Sequence, residues 1–408
     1  MLEYSASGLP VVASPVGTNQ MHVVEGQTGF LVDSKQEWIE RISQLVEDKQ
    51  LRRRMGDAGI KHACQSDISV TGQRFVELIK ECLGKRVLVI SNNPNRASFR
   101  QRIGVYIDGL REKGVLVDVV KLPSNQLSRF GIFKNCGDYD AVFVHKKRFN
   151  PVDAKVFAYY ARKVIYDFDD AIMYDDKRPG RVGGKRGRDF ARTAKLSDVV
   201  IAGNDYLGEH AAKYTDNIHV LPTGLDVGDY EVESGRGDDG KVRLVWIGSR
   251  STLMYLEWAR EALEEVGRRF DNVVLRIICD SFFEMENMEV EKVEWSLERQ
   301  EQCLCESDIG LAPLPDNEFT RGKCGFKILQ YAAAGLPVVA SGVGVNREFA
   351  KDGVRGFLAD SSSQWIEKLS ELIENKDLRC QMGDAGREWV KRFDLSVLGE
   401  HLGDLIKE

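Results

Sequence analysis

The sequence predicts an α/β protein of two doubly wound, mostly parallel-sheet domains with an extra α/β half-domain at its amino end. Three observations carry this reading. Short apolar runs followed by turn residues and helical patterns open at Arg86–Ser91 and again at Val242–Ile247, so β-turn-α units start two separate stretches. A chain of 408 residues is too long for one ordinary core. Finally, Leu2-Glu-Tyr-Ser-Ala-Ser-Gly-Leu-Pro-Val-Val-Ala-Ser14 recurs as Leu329-Gln-Tyr-Ala-Ala-Ala-Gly-Leu-Pro-Val-Val-Ala-Ser341, residue 329 against residue 2, an offset of 327.

The same offset carries Gly29-Phe-Leu31 onto Gly356-Phe-Leu358, Trp38 onto Trp365, and Met55-Gly-Asp-Ala-Gly59 onto Met382-Gly-Asp-Ala-Gly386 without a gap. A solenoid repeats every 20–50 residues or so, so this is a duplicated half-domain. The expected divisions are 1–85 for the partial copy, 86–240 for a first complete domain and 241–408 for a second. Alone, 1–85 lacks the strands that should flank it and exposes a sheet edge.

In 86–240, Arg86–Ser91 is a strand, then come the loop Asn92-Asn-Pro-Asn-Arg96 and an amphipathic helix over 98–113. Further strands are expected at 115–120, 141–144, 164–166 and Val199–Ala202, and 182–188 reads as a basic loop or helix start. Residues 233–240 have linker composition. In 241–408, Val242–Ile247 leads through the turn Gly248-Ser-Arg-Ser251 to a helix over 254–267. Strands follow at Val273–Cys279, 293–295 and Ile309–Ala312, and the last helix spans about 396–407.

Composition excludes several function classes. With 43% hydrophobic and 29% charged residues the chain reads as soluble and globular, and a net charge of −6 argues against nucleic acid as the main partner. No window approaches eighteen uninterrupted apolar residues, and the start lacks a signal peptide. Eight cysteines without a C-x-x-C pair suit a reducing cytoplasm. Cys303 and Cys305 have no histidine nearby, so no metal is expected.

The chemistry centres on Gly322-Lys-Cys-Gly-Phe-Lys-Ile-Leu-Gln-Tyr-Ala-Ala-Ala-Gly-Leu-Pro-Val-Val-Ala-Ser341. It reads as a glycine loop, a helix over 326–334 stopped by Gly335 and Pro337, and the buried strand Val338–Ala340. Lys327 falls in the helix's first turn, where free N–H groups and the dipole favour an anion, so the expected ligand is a phosphate ester. Gly342 and Gly344 alone are too few for a dinucleotide fingerprint.

This run closely resembles the donor-site segment of group 1 (family 4) retaining glycosyltransferases of the GT-B fold, in which two Rossmann-like domains face a cleft. The resemblance covers 86–408 as a whole enzyme and 1–85 as an extra partial copy. It implies a cytoplasmic, metal-independent, retaining enzyme without a cofactor, moving a hexose from a UDP- or GDP-sugar to an envelope glycan or lipid-linked acceptor. Peripheral contact with the inner face of the membrane would go through Arg100, Arg102, Lys185, Arg186 and Arg188. Donor-site residues carried over or inferred are Gly248, Ser249, Arg250, Arg321, Lys323, Lys327, Gln330, Gly344, Val345 and Asn346. Arg100, Arg102 and His145 fall on the acceptor side, although a structural histidine is the plainer reading of His145.

The family's two glutamates would stand at Gly322 and Gln330, so neither carboxylate is present. An amide at 330 can still bond ribose hydroxyls. Asp316 is a substitute for the carboxylate missing at 322. Glu3 is a second substitute, if 1–85 packs on 241–327 in place of 328–408 as in a circular permutant. In Asp167-Phe-Asp-Asp170, Asp169 replaces a histidine found in many relatives and could orient or deprotonate the acceptor hydroxyl. Helix capping and a metal-binding Asp-x-Asp are the other readings of that run. The alternative function is a non-catalytic sugar-nucleotide-binding or scaffold protein.

Overall fold

Runs of Val, Ile and Leu bounded by Gly, Asn and Pro become short buried strands, and the amphipathic stretches between them become covering helices. A computed structural model describes residues 2–16, 19–64, 86–112, 114–175, 178, 184–231 and 239–395. The chain divides into two units, 1–79 and 80–408.

In the first unit, β1 (Val11–Ala13) and β2 (Gly29–Leu31) pair in parallel, Val11 opposite Gly29. Its helices among the described residues are Leu2–Ala6, Asn19–His22, Lys35–Glu47 and Lys49–Cys64. Ser34 caps Lys35–Glu47 in a reciprocal capping box with Glu37. Gly29 is required because a Cβ there would lie 1.9 Å from the Val11 carbonyl oxygen.

The second unit holds two six-stranded sheets, every pairing parallel. One runs β4-β3-β5-β6-β7-β8, from β3 (Arg86–Ser91), β4 (Leu116–Lys121), β5 (Ala141–His145), β6 (Val164–Phe168), β7 (Val199–Ala202) and β8 (Ile218–Val220). Phe133, Phe149 and Phe157 meet edge-on or tilted under this sheet with centroids 4.8–5.5 Å apart. The other runs β11-β10-β9-β12-β13-β14, from β9 (Val242–Ile247), β10 (Val273–Cys279), β11 (Glu289–Glu294), β12 (Ile309–Ala312), β13 (Val338–Ala340) and β14 (Gly356–Leu358). Its order is that of dinucleotide-binding folds. In each sheet the order reverses beside the first strand, between β3 and β5 and between β9 and β12, and ligands sit at such points.

Several expectations change. The helix over 98–113 is a turn Ala97–Phe99, a π-helical turn Arg100–Gly104 and a helix Val105–Glu112. The helix over 254–267 breaks at Ala259 into Leu253–Trp258 and Arg260–Arg269. β11 starts four residues early, and its charged alternation suits an edge strand. β14 was not foreseen. Lys185–Lys195 is helical from the first of its basic residues. Since β12 pairs with β9 and β13, residues 328–395 fill their own place and the permutant arrangement involving Glu3 does not occur. The expected last helix over 396–407 and most of the 233–240 linker lie outside the described residues.

Candidate functional site

The carboxyl ends of β3, β5, β6, β9 and β12 surround a cavity of about 510 Å³. One wall carries Asn95, Arg100, Lys146, Asp169 and Asp170, and the other Gly248, Ser249, Trp246, Tyr255, Lys323, Lys327, Gln330 and Asn346. Each wall falls at the strand-order reversal of its sheet, so topology places the cavity.

The helix Phe326–Ala333 points its first turn into this space, and Gly325, at φ +64°, turns the chain into it. The Lys327 ammonium stands 5.2 Å from the Trp246 ring centre, and among the described residues no carboxylate pairs with it. Burial, with Lys323 nearby, lowers its pKa to about 8. Gln330 and Asn346 line the cavity and are buried. The Asn346 amide donates to the Ser341 carbonyl oxygen at 3.2 Å, fixing it to the end of β13.

Opposite lies a four-charge cluster. Lys146 Nζ is 2.5 Å from Asp169 Oδ1 and 2.6 Å from Asp170 Oδ2, and Lys323 Nζ crosses from the other domain to Asp170 Oδ1 at 2.8 Å. Burial would raise the Asp170 pKa, but the two ammonium groups hold it well below the usual carboxylate range. Burial likewise opposes, and the aspartates outweigh it, in raising both lysines. Lys146 adopts φ +51°, uncommon for a residue with a side chain. The Cys324 thiol donates to the Asp169 carbonyl oxygen at 3.1 Å, and Asn204 Nδ2 to the Lys323 carbonyl oxygen at 3.2 Å. Gly322 completes this seam between the domains: a Cβ there would lie 2.6 Å from Ala171 Cβ, so nothing larger than glycine fits.

Other expected site residues fall elsewhere. Arg102 is turned inward by the π-helical turn, donates through Nε and Nη2 to Asp167 Oδ1 at 3.0 and 2.8 Å, and is buried outside the cavity lining. His145 Nδ1 meets Asp167 Oδ2 at 2.8 Å and is buried, so it too is structural. Asp167 is thus consumed by the core, which removes it from an Asp-x-Asp metal site. Burial raises its pKa, but Arg102 and His145 bring it below the ordinary value. Asp316 pairs with Arg321 at 2.6 Å; both lie outside the cavity lining, which removes Asp316 as a stand-in for the missing carboxylate. Arg250 is exposed and does not line the cavity, nor do Gly344 and Val345. Gly344 is needed where it stands: at φ +53°, its Cβ would strike the Arg321 carbonyl oxygen at 2.5 Å. Arg100 does reach the cleft, 5.6 Å from the Trp295 ring across it. Lys185 and Arg186 pair with Asp189 and Asp175.

Lys146, Asp170, Trp246 and Tyr255 were missed. Asp170 lies in the Asp167–Asp170 run noted above, after β6, and Lys146 follows directly on β5; strand-end placement was the usable signal. The aromatic residues carried none.

Two segments match the family described as Glycosyl transferases group 1: residues 241–375 and residues 1–62. A D-inositol 3-phosphate glycosyltransferase of Corynebacterium glutamicum is 34% identical over 84 residues, 20% of each chain. A phosphatidyl-myo-inositol mannosyltransferase of Mycobacterium leprae is 36% identical over 80 residues, 19% of this chain and 21% of that one. The match thus spans about a fifth of these curated relatives. Among solved structures, the Anabaena protein HepE in complex with UDP and glucose is similar at a TM-score of 0.58 and 16% identity, over 79% of this chain and 99% of its own. Sucrose-phosphate synthase from Thermosynechococcus elongatus is similar at 0.59 and 12% identity, over 79% and 98%. These likenesses establish the fold, which is GT-B. Among the described residues no helix is long and apolar enough to cross a membrane.

Proposed function

We propose that this chain is a retaining, metal-independent group 1 glycosyltransferase, transferring a hexose from a UDP- or GDP-sugar to an envelope glycan or glycolipid. The observation that carries this reading is Lys327: a desolvated cation at a helix tip, facing a cleft of two sheets, with no carboxylate paired to it among the described residues. A diphosphate supplies an anion, and the free N–H groups of the helix's first turn add to its binding. The nucleotide-sugar class is supported by the UDP and glucose held by the similar HepE fold.

In this reading Lys327 and the helix tip stabilise the departing diphosphate as its charge develops. Gln330 contacts the nucleoside, and Asp169 faces the acceptor hydroxyl. Arg100 lies on the acceptor side of the cleft, and an anionic acceptor at the cytoplasmic membrane face would meet it. Cys324 and Asn204 hold the two domains in register at the seam.

The test is calorimetric titration with UDP and GDP, followed by transfer and hydrolysis assays on a panel of UDP- and GDP-sugars with and without EDTA. Micromolar-range nucleotide binding with chelator-insensitive turnover is expected. Binding without turnover on any donor would move the chain to the non-catalytic alternative, and no nucleotide binding would remove both.

A further inference from the structure

In the first sheet the strand order reverses between β3 and β5, and the loops leaving those strands, 92–96 and 146–150, meet at that point. Consecutive residues of the second loop go different ways. Lys146, at φ +51°, reaches Asp169 and Asp170 in the cavity, whereas Lys147 Nζ donates to Asn92 Oδ1 at 3.1 Å, outside the cavity lining. The loop that carries them is fastened. The Phe149 N–H donates to Thr193 Oγ1 at 2.8 Å, Arg192 donates to the Phe149 carbonyl oxygen at 2.9 Å, and Asn150 caps the helix Pro151–Tyr160.

Four cations gather here from three segments of the chain: Lys147 and Arg148 on the loop, Arg129 from the helix Gln126–Asn135, and Lys185 from Lys185–Lys195. Two of them are paired. Arg129 meets Asp153 at 2.7 Å and Lys185 meets Asp189 at 2.6 Å. Lys147 and Arg148 instead donate to neutral oxygens, the Asn92 side chain and the Ile172 carbonyl, and among the described residues neither forms an ion pair with a carboxylate. Burial and the neighbouring cations lower both pKa values, that of Lys147 to about 8. Like charges drawn together out of water repel until an anion joins them. Of the anions, phosphate suits this pair: the lysine meets it as a point charge and the guanidinium as a fork.

We propose that Lys147 and Arg148 hold a phosphate ester of the acceptor, in a second anion subsite apart from the diphosphate at Lys327. The acceptor role rests on the transferase reading above; the binding of phosphate does not. The hydroxyl to be glycosylated lies at Asp169, on the Lys146 side of the same loop. The acceptor class thereby narrows to a molecule with a phosphate close to its acceptor hydroxyl, either a soluble polyol or sugar phosphate or a phospholipid headgroup.

The probes are inorganic phosphate, then sn-glycerol 3-phosphate against glycerol, titrated calorimetrically into the full chain already saturated with UDP, and vesicles of phosphatidylcholine with and without phosphatidic acid. Saturable binding of phosphate and of at least one ester is expected, with glycerol and pure phosphatidylcholine silent. Lys147→Gln with Arg148→Gln should weaken that binding about tenfold or more and leave UDP affinity within about twofold, since neither residue lines the cavity. Retained UDP affinity shows that the double variant is folded. Should it fall, Lys147→Gln alone, which loses only the bond to Asn92, decides by the same comparison. Binding of glycerol 3-phosphate assigns a soluble acceptor, and binding of the phosphatidic acid vesicles alone a lipid-linked one. The inference is overturned if phosphate does not saturate, if phosphate binds but neither ester does, or if variant and parent bind alike. A chain that does not bind UDP removes the donor reading instead, and the same titrations in a Lys327→Met background, with the helix-tip cation gone, then decide this subsite.

Discussion

Lys327 and Arg102 show two outcomes for a cation drawn out of water. Arg102 meets Asp167 inside the core, and each compensates the other's desolvation. Arg102→Met leaves the buried Asp167 carboxylate with His145 as its remaining partner and should lower stability by about 3–5 kcal/mol in urea unfolding, with Asp167→Leu added in the double variant recovering much of it. Because the Asp167 pKa is depressed on folding, its contribution is complete above the unfolded value near 4 and is lost as pH falls through the folded value. Among the described residues Lys327 has no such partner. Its folded pKa of about 8 lies below the unfolded value, so the cost of burying its charge is full below pH 8 and is relieved as pH rises toward 10. Nucleotide affinity should run the other way, falling as pH passes from 7 to 9 because the cation is lost. Lys327→Met should abolish that dependence and weaken UDP binding roughly tenfold to a hundredfold, the worth of one charge-assisted bond. Titration calorimetry at several pH values checks both.

Among the elements, the π-helical turn Arg100–Gly104 matters most, because it sends Arg100 to the cleft and Arg102 to the core two residues apart. The 98–113 periodicity made the segment legible as helical. The inserted turn was not legible, since it depends on a carboxylate 65 residues away. The seam at Gly322 is likewise a contact between elements. Gly322→Ala sets a methyl against Ala171 and Leu207 and should force the domains apart, costing about 1–3 kcal/mol and weakening nucleotide binding while each sheet stays intact. Thermal unfolding with and without UDP separates these effects. The seam has no room for a side chain at 322.

At the scale of the molecule, residues 1–79 form their own unit, and the cavity is lined wholly from residues 95–346. Deleting 1–79 should therefore leave UDP affinity within about twofold, because no lining residue is removed. Unchanged circular dichroism per residue in 80–408 is the companion measurement.

Sequence alone determined the strands whose apolar runs are bounded by turn residues, the helix ending at Gly335, the repeat at its offset of 327, and Lys327 as a residue of the cleft. These are local: they depend on neighbours within a turn or two, or on identity between copies. Which charges remain available to a ligand was decided only in three dimensions. Lys323 meets Asp170 from 153 residues away, and His145 is taken by Asp167 on the next strand. The physical reason is that an ion pair is set by distance through space, and parallel sheets bring together strand ends that the chain keeps far apart.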